Sequence, residues 1–462
     1  MRVWTGKHVL VIGAARQGQA LTRHLIDHGA RVTLNDHKPE AEQASVRASL
    51  NGRPVDLVFG SHPLTLLDGT DLVCVSGGVP LTLPLIEEAY RRGIPVTNDS
   101  QLFMESVPCP VIGITGSAGK TTTTTLVGRM AQIAVEQRLV AHPKAWVGGN
   151  IGTPLIDQLD QIKAEDLVIL ELSSFQLELM TASPHLAAVL NITPNHLDRH
   201  TSMAAYTAAK QRILDFQSAR DKAVLNREDP GSFGLRAAVK GSLVTFGFHQ
   251  SDLPGTYLDG DLISVNDGKG STALFSRELI QLRGQHNVLN VIAAAAIAWS
   301  AGIPVEAMTA ALMGFSGVPH RLEYIRTYNG ARWYNDSIAT APERTIAAIR
   351  AFSEPLVLLL GGRDKNLPWE ELAKLVKERV KHVILFGEAA AKISDALKRA
   401  PTSEKPVTII SCSSLEEAVQ AAAAFASDGD VVLLAPGGTS YDHFKDFEER
   451  GDRFKQWVNK LS

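Results

Sequence analysis

The sequence is poor in cysteine, in net charge and in long apolar runs, and each shortage argues against a class of protein. Only three cysteines, Cys74, Cys109 and Cys412, occur in 462 residues. They lie far apart without metal-ligand spacing, which disfavours a disulfide framework and a cysteine-based zinc site. A formal net charge of −3 provides no general field for nucleic acids or membrane surfaces. No run of about eighteen uncharged apolar residues is present, so we expect a cytoplasmic protein without a membrane span.

The remaining composition is that of an ordinary globular protein, with 45% hydrophobic and 21% charged residues. A chain of 462 residues is too long for one core, and the usual domain size predicts about three domains. Alternating strand and helix patterns predict an α/β fold. We expect a Rossmann-like N-terminal domain at residues 1–107, a central P-loop domain at 108–317 and a Rossmann-like C-terminal domain at 318–462, because a Gly/Pro-rich stretch occupies Gly314–Pro319.

The stretch Gly113–Thr122 carries the clearest chemistry. It follows an apolar strand and opens a predicted helix from Thr121 to Gln137. A strand, a glycine-rich turn, a lysine and a hydroxyl in this order form a phosphate cradle, in which Lys120 reaches the terminal phosphates and Thr121 binds Mg²⁺. Ile114 replaces the first glycine of the strict pattern. The alternative is a glycine turn that caps an ordinary helix.

Downstream strands end in polar side chains. The strand 166–170 is followed by Glu171, the place of a metal-binding carboxylate in a P-loop domain. The strand 186–190 runs into a segment in which His196 is followed by an aspartate and an arginine. The glycine-rich stretch Val147–Pro154 is predicted to be a loop. Lys210 lies among alanines in the predicted helix Met203–Phe216, and this segment alone favours a solvated lysine.

The N-terminal region predicts a βαβ unit. A strand at 8–13, the turn Gly13–Gly18 and a strand at 30–34 that ends at Asn35 and Asp36 resemble a dinucleotide-binding fingerprint. Ala15 stands in place of the second glycine and hinders close approach of a pyrophosphate. A plain strand-to-helix turn is therefore about equally compatible with the pattern.

The last third repeats the doubly wound pattern. Strands are predicted at 331–335, 356–360, 382–386, 407–411 and 431–435, with small or charged residues after them. Cationic and hydroxyl groups such as Arg363, Lys365 and Ser440 are suited to binding carboxylates. An ATP site flanked by two ligand-binding modules favours activation of a carboxylate as an acyl phosphate, followed by attack of an amine.

Seven motifs together resemble the Mur ligase family across nearly the whole chain. They begin at Gly116 (Gly-Ser-Ala-Gly-Lys-Thr-Thr), Gly148 (Gly-Gly-Asn-Ile-Gly), Glu171, Asn191, Gly284 (Gly-Gln-His-Asn), Pro319 (Pro-His-Arg-Leu-Glu) and Asn335 (Asn-Asp-Ser). The resemblance implies an ATP- and Mg²⁺-dependent ligase that adds glutamate, D-glutamate being expected, to UDP-N-acetylmuramoyl-L-alanine. This reaction belongs to cytoplasmic synthesis of the peptidoglycan precursor, and a monomer is expected.

The resemblance also implies residue roles. Lys120, Glu171, His196 and Lys210 would be catalytic, with Thr121, Glu171, His196 and a CO₂-carbamylated Lys210 as metal ligands. ATP would contact Gly116, Ser117, Ala118, Gly119, Lys120, Thr121, Thr122, Asn287, His320, Arg321 and Asp336. The UDP-muramoyl substrate would contact Arg16, Gln17, Asp36, Asn150, Ser173 and Gln176, and glutamate would contact Lys365, Ser440, Tyr441 and Phe447.

The sequence departs from the family pattern at three places and leaves rival functions open. Ala118 replaces an asparagine, Ile338 and Ala341 replace a lysine and an asparagine, and Gly437-Gly-Thr439 replaces the more usual Ala-Cys-Ala. The alternatives are an L-glutamate-adding variant and another Mur-type or folylpolyglutamate ligase. An NAD-dependent dehydrogenase and a non-catalytic nucleotide-binding regulator are rivals of a different class. The Asp-Asn-Pro-Arg motif of diaminopimelate- or lysine-adding members is missing.

Overall fold

The computed structural model describes residues 3–152, 154–195, 199–365, 367–401 and 407–462. The chain divides into two compact units, Met1–Phe315 and Ser316–Ser462. Two β-sheets lie in the first unit and one lies in the second. This confirms the predicted α/β class with three sheet-containing domains, whereas the limits predicted for each domain stay predictions. Within the described ranges, no helix has the length and apolarity needed to cross a membrane.

The N-terminal sheet has five parallel strands, and its central strand is completely buried from Val9 to Ile12. Its order is 3-2-1-4-5 in chain numbering, which places the turn after the first strand at the reversal of strand order, where α/β sheets bind ligands. The elements are β1 (His8–Ile12), α1 (Arg16–Asp27), β2 (Arg31–Asp36), α2 (Ala44–Leu50), β3 (Asp56–Phe59), β4 (Leu72–Val75), α3 (Pro84–Arg91), β5 (Val96–Thr97) and α4 (Asp99–Ser106).

The central sheet has nine strands, parallel except for an antiparallel edge formed by its last two strands. The strands are β6 (Val111–Thr115), β7 (Ala145–Gly149), β8 (Leu167–Glu171), β9 (Leu186–Val189), β10 (Lys222–Asn226), β11 (Ser242–Phe246), β12 (Gly255–Asp259), β13 (Leu262–Asn266) and β14 (Ser271–Ser276). The helices are α5 (Lys120–Glu136), α6 (Ser174–Leu177), α7 (Met203–Asp215), α8 (Pro230–Gly234), α9 (Gln285–Ser300) and α10 (Val305–Leu312). β6 pairs with β8 on one side and β9 on the other, so the glycine-rich turn that follows it lies at a second reversal of strand order.

The C-terminal sheet has six strands in the order 15-16-20-17-18-19. Its elements are β15 (Glu323–Tyr328), β16 (Ala331–Asn335), α11 (Pro342–Arg350), β17 (Leu356–Gly361), α12 (Glu370–Arg379), β18 (Val380–Phe386), α13 (Ala390–Arg399), β19 (Thr408–Ser411), α14 (Leu415–Phe425), β20 (Val431–Gly437) and α15 (Phe447–Lys460). All five strands predicted here are confirmed. The sequence analysis missed β15, an antiparallel edge strand, because none of its residues is fully buried and its apolar pattern is weak.

One predicted loop was partly wrong. Val147–Pro154 was assigned to a loop, but Val147, Gly148 and Gly149 complete β7 and pair with β8. Glycine is required at the end of this strand, since a Cβ on Gly149 would lie 2.3 Å from the carbonyl oxygen of Glu171. The glycines therefore reflect close packing of two strands, which a sequence pattern does not separate from a loop.

Candidate active site

The turn between β6 and α5 is held in shape by the segment after β9. The Ser117 amide donates to the Asn191 carbonyl at 2.9 Å, and the Ala118 amide donates to Asn191 Oδ1 at 2.8 Å. Gly119 has φ +81°, and a Cβ there would lie 2.2 Å from Asn290 Oδ1. No described side chain caps the start of α5. The N-terminal end of this helix is therefore fixed in place and keeps its positive dipole end for an anion.

Lys120, the first residue of α5, folds back onto this turn. Its Nζ donates to the carbonyl oxygens of Gly116 at 2.8 Å and Ser117 at 3.3 Å. These contacts hold a positive charge at the centre of the glycine-rich turn. This is the position from which a lysine reaches the terminal phosphates of a bound nucleotide.

Glu171 ends β8, directly beside β6, and is only 1% exposed. Asn150 donates to its Oε1 at 2.9 Å, whereas Oε2 is buried without a hydrogen-bond partner among the described residues. A buried carboxylate oxygen without a donor is costly unless a cation binds it. Carboxylate oxygens are among the ligands that Mg²⁺ prefers, so Glu171 fits such an ion.

Lys210 is buried beneath the turn and is 1% exposed, so the solvated position that its helix favoured is wrong. It shares the buried face of α7 with Tyr206 and Leu214, four residues to either side. Its Nζ donates to the Gly116 carbonyl at 3.0 Å and to Thr115 Oγ1 at 3.3 Å. Lys120 and Lys210 therefore share one carbonyl acceptor.

Burial lowers the pKa of Lys210 to about 7, and the charge of Lys120 adds to this effect while Glu171 opposes it. The neutral amine of Lys210 is therefore far more accessible near neutral pH than that of an exposed lysine. A neutral amine is a nucleophile, and an ammonium is not. His196, the remaining predicted metal ligand, lies outside the described residues.

Asn287 is connected to this turn through α9. Asn290 donates to Asn287 Oδ1 at 3.1 Å, and Asn290 also lies against Gly119. The structure therefore brings together Lys120, Glu171 and Lys210 around β6, with Asn287 in contact through one intermediate side chain.

The glycine-rich turn after β1 is organised differently. Asp36 Oδ2 accepts the Ala14 amide at 2.7 Å, and Oδ1 accepts the Lys38 amide at 3.0 Å. Asp36 is 9% exposed and already stabilises the turn, whereas Arg16 is exposed and Gln17 is half-buried. Gly18 is required because a Cβ there would lie 1.8 Å from the Gly13 carbonyl oxygen.

Gln176 connects the N-terminal turns to α6. It is fully buried; its Oε1 accepts the Ser173 amide at 3.0 Å and its Nε2 donates to Ser100 Oγ at 2.8 Å. The Cβ position of Gly77 lies 3.9 Å from both Gln176 and Gln17. Gln176 thus orients Ser173 and α6, and the half-buried Gln17 and Ser173 have more access to a ligand.

A second cluster involves Arg199 and His200, which precede α7. Arg199 donates to the Gly78 carbonyl at 3.1 Å, and its guanidinium lies 5.0 Å from the Phe175 ring centroid. His200 stacks on Phe175 with centroids 5.2 Å apart and donates to or accepts from Ser174 Oγ at 3.0 Å. The sequence analysis noted the charge of this segment but did not place it against the loop after β4.

In the C-terminal unit, His320 and Asp336 lie at the start of the sheet. Burial raises the pKa of Asp336 to about 6, and its Oδ1 accepts the Leu322 amide at 3.0 Å. His320 is 7% exposed with φ +63° and lies 3.1 Å from Asn335 Nδ2. Arg321, which lies between His320 and Leu322 in the chain, is exposed.

The four residues predicted to bind glutamate differ in exposure. Ser440 is 2% exposed, whereas Tyr441 is 62% exposed. Burial and the nearby Arg344 lower the pKa of Lys365. The Phe447 ring lies edge-on to His320, with centroids 6.2 Å apart.

Arg450 is a buried cation of the C-terminal unit that was not predicted from the sequence. It is 0% exposed, and it donates to Ser337 Oγ at 3.0 Å, to the Ser337 carbonyl at 2.9 Å and to the Gly438 carbonyl at 3.1 Å. It lies on α15 four residues before Phe454 and eight before Val458, which are also buried. The burial of Arg450 could have been inferred from the sequence, because this charged residue stands within an apolar i, i+4, i+8 stripe.

Three family models match consecutive parts of the chain. The Mur ligase MurD-like N-terminal domain matches residues 7–98, the Mur ligase middle domain matches 114–298, and the Mur ligase glutamate ligase domain matches 320–438. Together they include the turn after β1, the turn after β6 and most of the C-terminal sheet.

Curated relatives align along the full length. The UDP-N-acetylmuramoylalanine–D-glutamate ligase of Symbiobacterium thermophilum is 41% identical over 98% of this chain and 98% of its own length. The protein of the same name from Acetivibrio thermocellus is 39% identical over 98% of this chain and 97% of its own. Among solved structures, the UDP-N-acetylmuramate-alanine ligase of Thermotoga maritima has a TM-score of 0.55 at 20% identity, covering 98% of this chain and 99% of that one, which supports the fold alone.

Proposed function

The chain belongs to the Mur ligase family, and we propose that it adds glutamate, with D-glutamate expected, to UDP-N-acetylmuramoyl-L-alanine at the expense of ATP. The observation that carries the proposal is its full-length likeness to curated D-glutamate ligases at 41% and 39% identity. The reaction is proposed to take place in the cytoplasm, on a monomer, as a step of peptidoglycan precursor synthesis.

The turn after β6 is the proposed phosphate site. Gly116, Ser117, Ala118, Gly119 and Thr122 form the cradle, and Lys120 turns from the Gly116 carbonyl to the terminal phosphates. Thr121, Glu171, His196 and a carbamylated Lys210 would hold Mg²⁺, which would supply positive charge where a carboxylate approaches a polyphosphate. Asn287, His320, Arg321 and Asp336 are proposed to contact the rest of ATP.

In the proposed reaction, the carboxylate oxygen of the alanyl end attacks the γ-phosphorus as the bond to ADP breaks. Lys120 stabilises the charge that develops on the transferring oxygens. The glutamate amine then attacks the acyl carbon, and the tetrahedral species collapses with loss of phosphate. The amine must lose a proton before or during the attack.

The carbamate on Lys210 is part of this proposal. The neutral amine attacks CO₂, so that the N–C bond forms as one C=O π pair moves onto oxygen. The nitrogen then loses a proton to solvent, which gives a carboxylate-like group. A pKa of about 7 makes the neutral amine abundant, and Lys120 beside it stabilises the resulting negative charge. The carbamate would place a negative charge between the buried lysines and the proposed metal ion.

The residues assigned to the substrate ends are those implied by the family resemblance. Arg16, Gln17 and Asp36 are proposed to bind the uridine end, with Asp36 acting through the backbone it orients. Asn150 and Ser173 are proposed to contact the muramoyl part, with Gln176 positioning Ser173. Lys365, Ser440, Tyr441 and Phe447 are proposed to bind glutamate.

The test is release of ADP and phosphate by the purified full chain with each substrate omitted in turn. We expect release that requires both UDP-N-acetylmuramoyl-L-alanine and glutamate, with formation of the ligated product by mass. Release that needs neither substrate, or that proceeds with tetrahydrofolate, contradicts the proposal. Comparing D- with L-glutamate at matched concentrations decides the stereochemistry, and a preference for the L form would retain the ligase but reassign its amino acid.

A further inference from the structure

Two histidines and an aspartate form a cluster on the outside of the first unit, distinct from the turn after β6. His24 lies in the last turn of α1, and His28 is the residue that caps the C-terminal end of this helix. Asp160 comes from the 3₁₀ segment Leu155–Gln161, which precedes β8. The imidazole centroids are 4.2 Å apart. One ligand atom from each residue lies within 4.8 Å of the other two.

The hydrogen bonds of His28 fix where its proton lies. Its Nδ1 is 2.7 Å from the His24 carbonyl oxygen, an acceptor only, so Nδ1 carries a hydrogen. Its Nε2 is then directed at Asp160 Oδ1, 3.1 Å away. A neutral ring in this tautomer would place a lone pair against a carboxylate oxygen, which is repulsive. A cation, either a proton on Nε2 or a metal ion, is needed between them.

The surroundings favour a metal ion over a proton alone. Neighbouring Asp157 is paired with Arg23, and Asp27 is paired with Arg53 at 2.8 Å. Asp160 is therefore the carboxylate that faces the two imidazoles. Among the described residues, no hydrogen bond engages a ring nitrogen of His24.

We propose that His24, His28 and Asp160 bind a zinc ion, with solvent as the fourth ligand. A tetrahedral zinc site with bonds of about 2.1 Å places its ligand atoms about 3.4 Å apart, close to the 3.1 Å found between His28 and Asp160. The Nδ1–H bond of His28 to a carbonyl oxygen is the usual second contact of a metal-binding histidine. The ion would connect α1 of the N-terminal sheet to the segment that precedes β8.

Zinc titration of the EDTA-treated full chain tests this site. Isothermal calorimetry is performed with ZnCl₂, and any zinc that binds at the proposed ATP-associated metal site contributes equally to the wild type, H28Q and D160N, since these variants leave that site unchanged. We expect a zinc site in the wild-type chain, a loss of its affinity of at least about tenfold in H28Q and in D160N, and a zinc-dependent rise in Tm that D160N lacks. Cobalt in place of zinc should give the visible absorption bands of a four-coordinate site.

The exposed His249 provides a matched control. Its Nδ1 lies 2.8 Å from Glu228, so it is a histidine–carboxylate pair without a second imidazole. H249Q should keep the wild-type zinc affinity. Asp160 is 61% exposed, so D160N is expected to fold even where a histidine variant does not. A wild-type chain that does not bind zinc, or zinc binding that is equal in the wild type, H28Q and D160N, overturns the proposal.

Discussion

Lys210 in the first unit and Arg450 in the second are both fully buried cations, yet their surroundings give them different properties. Each lies on the apolar stripe of a helix, and each donates to a backbone carbonyl in a turn that follows a strand. Among the described residues, they are the two lysine or arginine side chains in the buried class. Neither is bonded to a carboxylate in these contacts.

The difference lies in how each group responds to burial. Burial lowers the pKa of Lys210 to about 7 and that of Arg450 only to about 10. Arg450 therefore stays charged near neutrality, and its planar fork joins Ser337 to Gly438. Lys210 exchanges a proton in the physiological range. A buried arginine thus serves as a permanent brace, whereas a buried lysine is available for chemistry.

Replacing Lys210 should produce the largest effect. K210R keeps a charge but cannot lose it, so it cannot form a carbamate, and K210A lacks the amine altogether. We expect kcat to fall at least about 100-fold in both variants. Short carboxylic acids such as formate or acetate should partly restore K210A and not K210R, because only the alanine variant leaves space for the missing carboxylate. Steady-state phosphate release measures both effects.

Lys222 is the matched control for this experiment. It is a lysine of the central domain that also donates to a backbone carbonyl, that of Ser300 at 2.6 Å. K222R should retain activity within about threefold because it lies outside the proposed site. Full activity in K210A without added acid would contradict the proposed carbamate. Lys210 would then have no chemical role that distinguishes it from Arg450.

Replacing Arg450 should mainly affect stability. R450A leaves the Ser337 and Gly438 carbonyls without their donor, and we expect a loss of about 2–4 kcal/mol in the free energy of unfolding. R450K keeps a charge without the fork and should lose about 1–2 kcal/mol. Urea unfolding measures both values. R453K, on the exposed side of the same helix, should change by less than about 0.5 kcal/mol.

These two side chains also show what the sequence could predict. The strands and the order of the helices followed from apolar runs and turn residues, and the turn after β6 was identified by its glycines, lysine and hydroxyl. Burial of Lys210 was not predicted from its helix, since a lysine among alanines is compatible with solvent on either face. The stripe formed by Tyr206, Lys210 and Leu214 becomes apparent only when the packed face is known.

Residues of the candidate site could be predicted where the chemistry requires one residue type at one position. Glu171 at the end of a buried strand could be named, but not that Asn150 bonds its Oε1 while its Oε2 has no hydrogen-bond partner among the described residues. Gln176 could be named as part of a motif, but its burial against Ser100 comes from a contact 76 positions away in the chain. Long-range packing of this kind leaves no local periodicity to detect.

The cost of burying Lys210 should be visible in pH-dependent stability. Its pKa falls from 10.5 in the unfolded chain to about 7 in the folded one, so the unfolded state binds more protons between these values. Stability therefore rises with pH across this window, and the penalty is full below about pH 7. We expect K210M to be more stable than the wild type by about 1–3 kcal/mol near pH 6, with the gain shrinking toward pH 10.

Urea unfolding in CO₂-free buffer without divalent metal measures this gain, because a carbamate would mask it. K222M is the control, since Lys222 is exposed and no such gain is expected. A pH-independent difference between K210M and the wild type would mean that the proton on Lys210 does not determine the cost of its burial.

Tyr206 should show the smallest effect and separates charge from packing at Lys210. Its ring lies 4.8 Å from Lys210 Nζ, and its hydroxyl is 3.0 Å from Ser117 Oγ. Y206F keeps the ring and loses one hydrogen bond. We therefore expect the free energy of unfolding to fall by about 1 kcal/mol and kcat to fall by less than tenfold. Y206L removes the ring as well, and its further loss of kcat reports the contribution of the aromatic face to Lys210. Y206F could instead prove as inactive as K210A. The feature that distinguishes this region from that of Arg450 would then be the hydroxyl bond to the glycine-rich turn and not the buried amine.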